Sequence, residues 1–251
     1  MMKEKGGSVF LNLFDWLFPA KCPVCGELLQ KKEDRICENC RRELPRVTEP
    51  CCMRCGKPVE DAARQYCQDC SRKRLPARRD DLFQGTALWV YTDRMKRAMA
   101  DFKYNGCYSD SIFFAEELIR FRGNRIESWH PDFVIPVPLH RRKARFRGYN
   151  QAACVAEELG RKMGIEVLPQ ALLRLRYTKP QKNYDDKGRR DNVRDAFCVA
   201  ESCRNMIVGK CVLLLDDIYT TGATVEACAK VLVEAGVRRV YFACLCIGRD
   251  Y

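Results

Sequence analysis

The sequence predicts an α/β protein: a mainly parallel sheet flanked by helices, preceded by a small cysteine-rich unit. Three observations predict it. From residue 133 onward, short apolar runs alternate with amphipathic helical stretches, the pattern of right-handed strand–helix–strand units in a doubly wound sheet. Nine of the 17 cysteines fall within the first 70 residues. Those nine contain four C-x-x-C pairs set out as an internal repeat. At roughly 100–200 residues per domain, the 251 residues allow one large domain or two unequal ones, and the cysteine asymmetry selects two. The expected division is 1–70 for a short N-terminal helix and the cysteine-rich unit, 71–81 for a linker, and 82–251 for the α/β domain.

The elements follow in order. The apolar stretch 9–18 holds Asn12 and Asp15 and is half the ~20 residues a membrane span needs. No small-residue cleavage site precedes Pro19, so it predicts a short amphipathic helix and not a signal peptide. Without an export signal the expected location is the cytoplasm, where metal binding or burial of cysteines outranks disulfides. Residues 71–81, SRKRLPARRDD, read as an exposed link. A strand is expected over 86–91. A helix is expected over 93–102, with Met95, Met99 and Phe102 at helical spacing and Gly106 as its stop, and another over 111–121. Then come a strand over 133–137, a helix over 151–162, a short strand over 165–168 and a central parallel strand over 211–215. A helix over 224–235 and a last strand over 240–247 complete the sheet. Cys211, Cys228, Cys244 and Cys246 lie on core-facing segments and act as small hydrophobes.

The repeat carries the first chemistry. Cys22-Pro23-Val24-Cys25-Gly26 is followed by Cys37-Glu38-Asn39-Cys40. Thirty residues later, Cys52-Met53-Arg54-Cys55-Gly56 is followed by Cys67-Gln68-Asp69-Cys70. Both halves place eleven residues between their pairs. A C-x-x-C turn brings two thiolates to one metal, and two turns close a four-thiolate zinc site with no open position, hence structural and not catalytic. Four pairs make two sites. The repeat argues for sequential ribbons, Cys22/Cys25/Cys37/Cys40 and Cys52/Cys55/Cys67/Cys70, while spacing alone also allows a cross-braced pairing. Cys51 is spare.

The second chemistry sits at the end of the central strand. The run 211–215 leads into Asp216-Asp217-Ile218-Tyr219-Thr220-Thr221-Gly222-Ala223-Thr224, where a helix begins. A turn with Gly222 at a helix N-terminus presents N–H groups to an anion, and Thr220, Thr221 and Thr224 add hydroxyls. Two carboxylates beside a phosphate cradle fit a ribose 5-phosphate: phosphate in the turn, sugar hydroxyls on Asp216 and Asp217. The loop lacks the G-K-[ST] of a Walker A motif. The 45 Lys and Arg outnumber the 33 Asp and Glu, a net charge of +12, which points to phosphate-bearing partners without selecting one. Five basic residues, Arg141, Arg142, Lys143, Arg145 and Arg147, crowd into seven positions. Alone they would read as a solvated loop.

The segment around Asp216 resembles the fingerprint of type I phosphoribosyltransferases. Nearly the whole chain resembles the ComF/GntX family, a double zinc ribbon followed by a phosphoribosyltransferase domain. Its marks here are the two ribbons, Lys103-Tyr104-Asn105-Gly106, Pro136-Val137-Pro138-Leu139, Arg147-Gly148-Tyr149-Asn150-Gln151, Pro180-Gln181, Arg189, Asn192, Ala196-Phe197 and the two-acid loop. Tyr149 stands where Phe is commoner and Tyr184 where Leu is usual, and 183–187 is more polar than the family pattern.

The resemblance implies a set of roles. Val137, Pro138, Leu139 and His140 would form the pyrophosphate loop, often with an unusual cis peptide in this superfamily. Arg141, Arg142 and Arg147 would wall the phosphates, and Lys103 would join the substrate-binding residues. Residues 179–194 would be a mobile flap carrying Tyr184. Asp216 and Asp217 would hold the ribose hydroxyls and the positive charge developing at C1 as pyrophosphate leaves. The ligand would be phosphoribosyl pyrophosphate or a ribose 5-phosphate, with Mg²⁺ bridging its oxygens. The family also implies a role in DNA uptake during natural transformation, handling single-stranded DNA in the cytoplasm alongside uptake-machinery proteins. The alternatives are phosphoribosyl transfer to a small nitrogenous acceptor, or a sensor that binds the ligand without chemistry.

Overall fold

The computed structural model describes residues 19–31, 33–72, 83–105, 108–175 and 196–249. The helix expected over 9–18, most of the linker, Gly106 and the flap with Tyr184 lie outside the described residues.

The two ribbons repeat each other down to their hydrogen bonds. In the first, the N–H of Gly26 donates to Cys22 O (2.9 Å), that of Cys22 to Glu27 O (2.8 Å) and that of Leu29 to Ala20 O (2.9 Å). In the second, Gly56 donates to Cys52 O (2.9 Å), Cys52 to Lys57 O (2.8 Å) and Val59 to Pro50 O (3.0 Å). Each knuckle needs its glycine, with φ of +77° at Gly26 and +74° at Gly56. The second cysteine pair of each ribbon opens a short helix, α1 (Glu38–Glu43) and α2 (Gln68–Arg72). At five or six residues, neither is long enough to show a helical period in sequence.

The α/β part runs β1 (Phe83–Val90), α3 (Asp93–Tyr104), α4 (Tyr108–Ser128), β2 (Phe133–Pro136), α5 (Arg141–Arg147), α6 (Gln151–Met163), β3 (Glu166–Val167), β4 (Leu172–Arg174), β5 (Phe197–Val199), α7 (Glu201–Ile207), β6 (Cys211–Tyr219), α8 (Ala223–Glu234) and β7 (Arg239–Ile247). The main sheet has the order β1-β7-β6-β2-β3, and every pair in it is parallel. This is the expected α/β fold, a parallel sheet flanked by helices, preceded by a small unit with two cysteine knuckle pairs. Side chains of β6 alternate between two cores. Val212 and Leu214 face one with α8, and Leu213 and Leu215 face the other with α3, α4 and α6.

Three features differ from the sequence expectation. The basic run 141–147 is helical, because His140 caps it and Gly148, at φ +80°, ends it. The central strand continues past its apolar stretch to Tyr219, because β7 stays in register from Cys211↔Arg239 to Tyr219↔Ile247. An antiparallel pair, β4 with β5, stands apart from the main sheet at the two ends of the flap region. Its three-residue strands are below the length at which alternation shows.

The ribbons straddle the sheet edge. The link between them pairs antiparallel with β1: Val90 N–H donates to Pro45 O (2.7 Å) and Val47 N–H to Leu88 O (3.0 Å). The first ribbon then packs Cys22, Val24, Ile36 and Leu44 into the core that holds Leu88, Trp89 and Phe114. The second packs Cys52, Cys55, Val59 and Cys67 into the core with Phe83, Ala87 and Phe242. At the second knuckle the approach is backbone to backbone. Gly85 N–H donates to Arg54 O (2.8 Å), and a Cβ on Gly56 would sit 2.8 Å from Gly85 O, whereas one on Gly26 meets nothing within 4 Å.

This contrast predicts two outcomes from one kind of substitution. Gly26→Ala pays only the left-handed backbone cost of about 1 kcal/mol, a fall of about 2–4 °C in melting temperature. Gly56→Ala must also displace β1 and melts at least twice as far below wild type. Thermal denaturation of the zinc-loaded variants measures the difference.

Candidate functional site

The cysteines gather as Cys22, Cys25, Cys37 and Cys40 in one cluster and Cys52, Cys55, Cys67 and Cys70 in the other, all Sγ atoms of a cluster lying within 4.8 Å of one another. The ligand pairing is therefore sequential and not cross-braced. Cys25 and Cys37 Sγ are 3.6 Å apart, as are Cys55 and Cys67. A tetrahedral zinc with Zn–S of about 2.3 Å requires S···S edges of about 3.8 Å, so both cages fit the ion. Cys51 stays outside, its thiol donating to Thr48 O (3.2 Å).

The two centres differ in access. All four cysteines of the second are buried, whereas Cys25 is exposed and Cys37 half-buried in the first. Beside the second centre lies Lys57, whose side chain is 3% exposed and whose Nζ is 2.6 Å from Asp69 Oδ2. Burial works against its charge, but the Asp69 carboxylate outweighs it and holds Lys57 above its usual value. Four thiolates on one zinc leave a surplus of negative charge, which this buried ammonium offsets. The first ribbon has Glu27 and Asn39 at the equivalent positions.

The second site lies at the carboxyl ends of the sheet strands, where open α/β sheets bind ligands. Asp217 Oδ2 is 2.8 Å from Lys103 Nζ, with the two side chains only 17% and 18% exposed. Burial opposes the Lys103 charge, yet Asp217, with Asp216 behind it, keeps its pKa raised. Asp216 accepts the Asp217 N–H at 2.9 Å. Burial first, then the neighbouring Asp217 charge, pushes its carboxyl up to about 7.

Two motifs distant in sequence hold Lys103 there. The Tyr149 hydroxyl donates to Phe102 O, and Gln151 Nε2 donates to Lys103 O (3.1 Å). Arg147 donates to Gln151 Oε1 (3.2 Å) and to the Tyr104 hydroxyl (3.4 Å), with its guanidinium 5.0 Å from the Tyr104 ring centre. Asn150 Nδ2 donates to Val137 O (3.1 Å), tying the same motif to the expected pyrophosphate loop. Within that loop Val137 and Pro138 are buried, and Leu139 and His140 are half-buried. No cis peptide occurs at 137–140; the described residues have one at Glu49–Pro50. His140 Nδ1 accepts the Arg142 N–H (3.2 Å). Partial burial and the charges of Arg174, Arg142, Lys143 and Arg141 hold its imidazole below the usual pKa.

The cradle completes the site. Gly222 takes φ +80° and caps α8 without a side-chain hydrogen bond, so the first-turn N–H groups remain available as donors. A Cβ on Gly222 would lie 2.3 Å from the Tyr219 hydroxyl oxygen. Glycine is thus required both by conformation and by the ring under the turn, which is itself stacked on Phe242 at 4.9 Å. Thr220 is exposed, and Thr221, Ala223 and Thr224 are half-buried. All the expected ligand residues on described positions therefore belong to one end of the sheet.

With this geometry in view, the comparisons with known proteins decide the family. Residues 13–71 match the double zinc ribbon domain family. The chain is 30% identical to competence protein ComFC of Bacillus subtilis, over 94% of this chain and 95% of that protein. The chain belongs to the ComF family. It is also 27% identical to the DNA utilization protein YhgH of Salmonella typhimurium, over 91% of this chain and 97% of that one. Among solved structures, the allosteric regulatory enzyme of purine biosynthesis overlaps 55% of this chain at 20% identity and TM-score 0.37, and the chain spans a quarter, 25%, of that enzyme.

In this ComF-family chain Lys143, from the expected basic wall, joins the site together with two residues that the sequence reading did not place there, Tyr91 and Arg174. Tyr91, just past the end of β1, has its hydroxyl pKa raised by burial and lies in the field of Lys103 and Asp217. Lys143, half-buried on α5, is lowered by burial and by Arg174, Arg147 and Lys103. Arg174, closing β4, sits 5.2 Å from the Phe197 ring centre and within the field of Asp216. The sequence signal for Lys143 was present in the basic run. For Tyr91 and Arg174 there was none, since each reaches the site only through strand pairing.

Two predictions follow from these contrasts. On titration with a chelator, the exposed first centre releases its zinc before the buried second, so a colorimetric zinc assay shows two unequal phases. Asp216, with a native pKa near 7 against ~3.9 unfolded, binds its proton more tightly when folded. Its contribution to stability is present at low pH and is lost as pH rises from about 4 through about 7. Asp216→Asn therefore melts a few degrees above wild type at pH 8, with the gap closing toward pH 4.

Proposed function

We propose that this ComF-family chain binds phosphoribosyl pyrophosphate or a ribose 5-phosphate at the strand ends, and handles single-stranded DNA during DNA uptake in the cytoplasm. The observation that carries the reading is the Lys103–Asp217 ion pair (2.8 Å) beside the α8 cradle. An acid pair, a paired cation and a helix N-terminus without a side-chain cap match a ligand that has both sugar hydroxyls and phosphates. The names of the relatives, a competence protein and a DNA utilization protein, support the DNA role, as does the net charge of +12.

In this reading the 5-phosphate takes the N–H groups at 222–224 and the hydroxyls of Thr220, Thr221 and Thr224. The ribose hydroxyls donate to Asp216 and Asp217. Lys103 turns from Asp217 toward the pyrophosphate, which also meets the 137–140 backbone, His140, Arg141, Arg142 and Arg147. Arg174 and Lys143 add positive charge. The carboxylates and ligand oxygens are the hard donors Mg²⁺ takes, and the ion would neutralise pyrophosphate charge when bound. Phosphoribosyl transfer to a small nitrogenous acceptor and a sensor that binds the ligand without chemistry are the alternative readings of the same site.

The test is a calorimetric titration of zinc-loaded protein with phosphoribosyl pyrophosphate, with and without Mg²⁺. Wild type binds in a Mg²⁺-dependent way, and Asp217→Asn weakens binding by about 10-fold or more, the value of a hydrogen bond to a charged group. Absence of binding by wild type overturns the ligand, and pyrophosphate release with a nucleobase selects phosphoribosyl transfer over binding alone. Single-stranded DNA binding falls steeply between 50 and 200 mM salt; its absence at low salt overturns the DNA role.

A further inference from the structure

Helix α5 (Arg141–Arg147) contains no buried residue, so packing does not explain its composition. Its Phe146 is 81% exposed, the most exposed of the large apolar side chains among the described residues. A phenyl ring left in water forgoes the stabilisation that burial would give. The ring does not stand alone. Tyr104, 59% exposed, meets it edge-to-face with centroids 6.2 Å apart, and the Arg147 guanidinium lies over the Tyr104 ring, 5.0 Å from its centroid. Arg141, Arg142 and Arg145 are exposed on the same helix, and Arg142 and Phe146 are neighbours at i and i+4. Tyr104 follows Lys103 directly, so the aromatic pair stands at the rim of the phosphoribosyl site.

We infer that Tyr104 and Phe146 form a stacking ledge for an unpaired base of single-stranded nucleic acid, with the exposed Arg145, which the proposed pyrophosphate contacts leave out, taking a flanking phosphate. An aromatic face next to exposed guanidinium groups is the combination that sequence-tolerant single-strand binding uses. Charge complementarity selects a polyanion. Shape selects a strand over a lipid surface: α5, with sequence RRKARFR, has one aromatic and one alanine among its basic residues, no apolar stripe to sink into a bilayer. The inference rests on the proposed DNA role and names where on the molecule the strand is held, beside the ligand site and not on the ribbons alone.

The test is fluorescence polarisation with a labelled oligothymidylate on the full, zinc-loaded chain. Phe146→Ala weakens binding about 5- to 150-fold, the range for loss of one base–aromatic stack, while the dependence on salt stays at the wild-type slope. Phe146→Trp retains wild-type affinity. Arg145→Gln lowers the salt slope by about one. An oligonucleotide with abasic sites is bound weakly by wild type, and Phe146→Ala weakens it little further. If wild type binds the strand and Phe146→Ala binds it equally well, the ledge is wrong and the DNA role stands. If wild type binds no strand at low salt, the DNA role fails and the ledge with it. Binding of a free mononucleotide or of anionic vesicles that is lost in Phe146→Ala, with strand binding intact, also overturns the inference.

Discussion

The outer edge of β1 governs how this molecule is put together. A parallel sheet grows by crossover connections and leaves its last strand with a row of unpaired N–H and C=O groups, which must be covered. Here the cover is the short link between the two zinc ribbons, hydrogen-bonded at Pro45 and Val47 to Val90 and Leu88. Because that link lies along the edge, the ribbon before it falls on one face of the sheet and the ribbon after it on the other. Each zinc centre then acts twice. It closes a unit too small to make its own core, and it completes one of the two cores of the α/β part. Trp89, fully buried and stacked on Phe113, belongs to the core into which the first ribbon packs. Removal of zinc should therefore be felt in the sheet as well as in the ribbons.

The site depends on the same logic of contacts distant in sequence. Lys103 reaches Asp217 only because the turn that ends α3 is pinned by Tyr149 and Gln151, and Asn150 in the same motif anchors the loop after β2. One short stretch thus sets the spacing between the acid pair, the cation and the expected pyrophosphate loop. The turn at Gly222 is fixed by a different support, the Tyr219 and Phe242 rings beneath it. The cradle is carried by the sheet, whereas the cation is carried by the end of a helix. A ligand that displaces Lys103 from Asp217 would move the helix end and its motif more readily than the cradle.

Much of this was legible in the sequence. The ribbon repeat specified the two four-cysteine clusters by spacing alone, and the apolar run 211–215 followed by two acids and a glycine turn specified a central strand leading into a helix N-terminus. What stayed hidden was hidden for physical reasons. Helix α5 reads as a charge run because it buries nothing, so no apolar period marks it. The β4–β5 pair is too short to alternate. Arg174 and Tyr91 join the site through strand pairing that no local pattern encodes. The choice between sequential and cross-braced zinc ligation was open on spacing and is decided by which sulfurs converge. The spare Cys51 is explained only by its hydrogen bond to Thr48.

The charge distribution around Asp216 and Asp217 bears most directly on what the site can do. Two adjacent carboxylates in a poorly hydrated place cannot both ionise freely. The structure resolves this unequally, with a lysine on Asp217 and a raised pKa on Asp216. Lys143 is lowered by burial first and then by the charges of Arg174, Arg147 and Lys103. The ligand-free site is therefore held under electrostatic tension of both signs. A ligand with hydroxyl donors for the acids and several phosphate charges for the bases relieves both at once, which neither a bare sugar nor inorganic phosphate can do. The same argument explains why the basic surplus extends outward along α5. In the proposed reading, once the inner cations are committed to a bound pyrophosphate, the exposed Arg145 remains to hold a second polyanion.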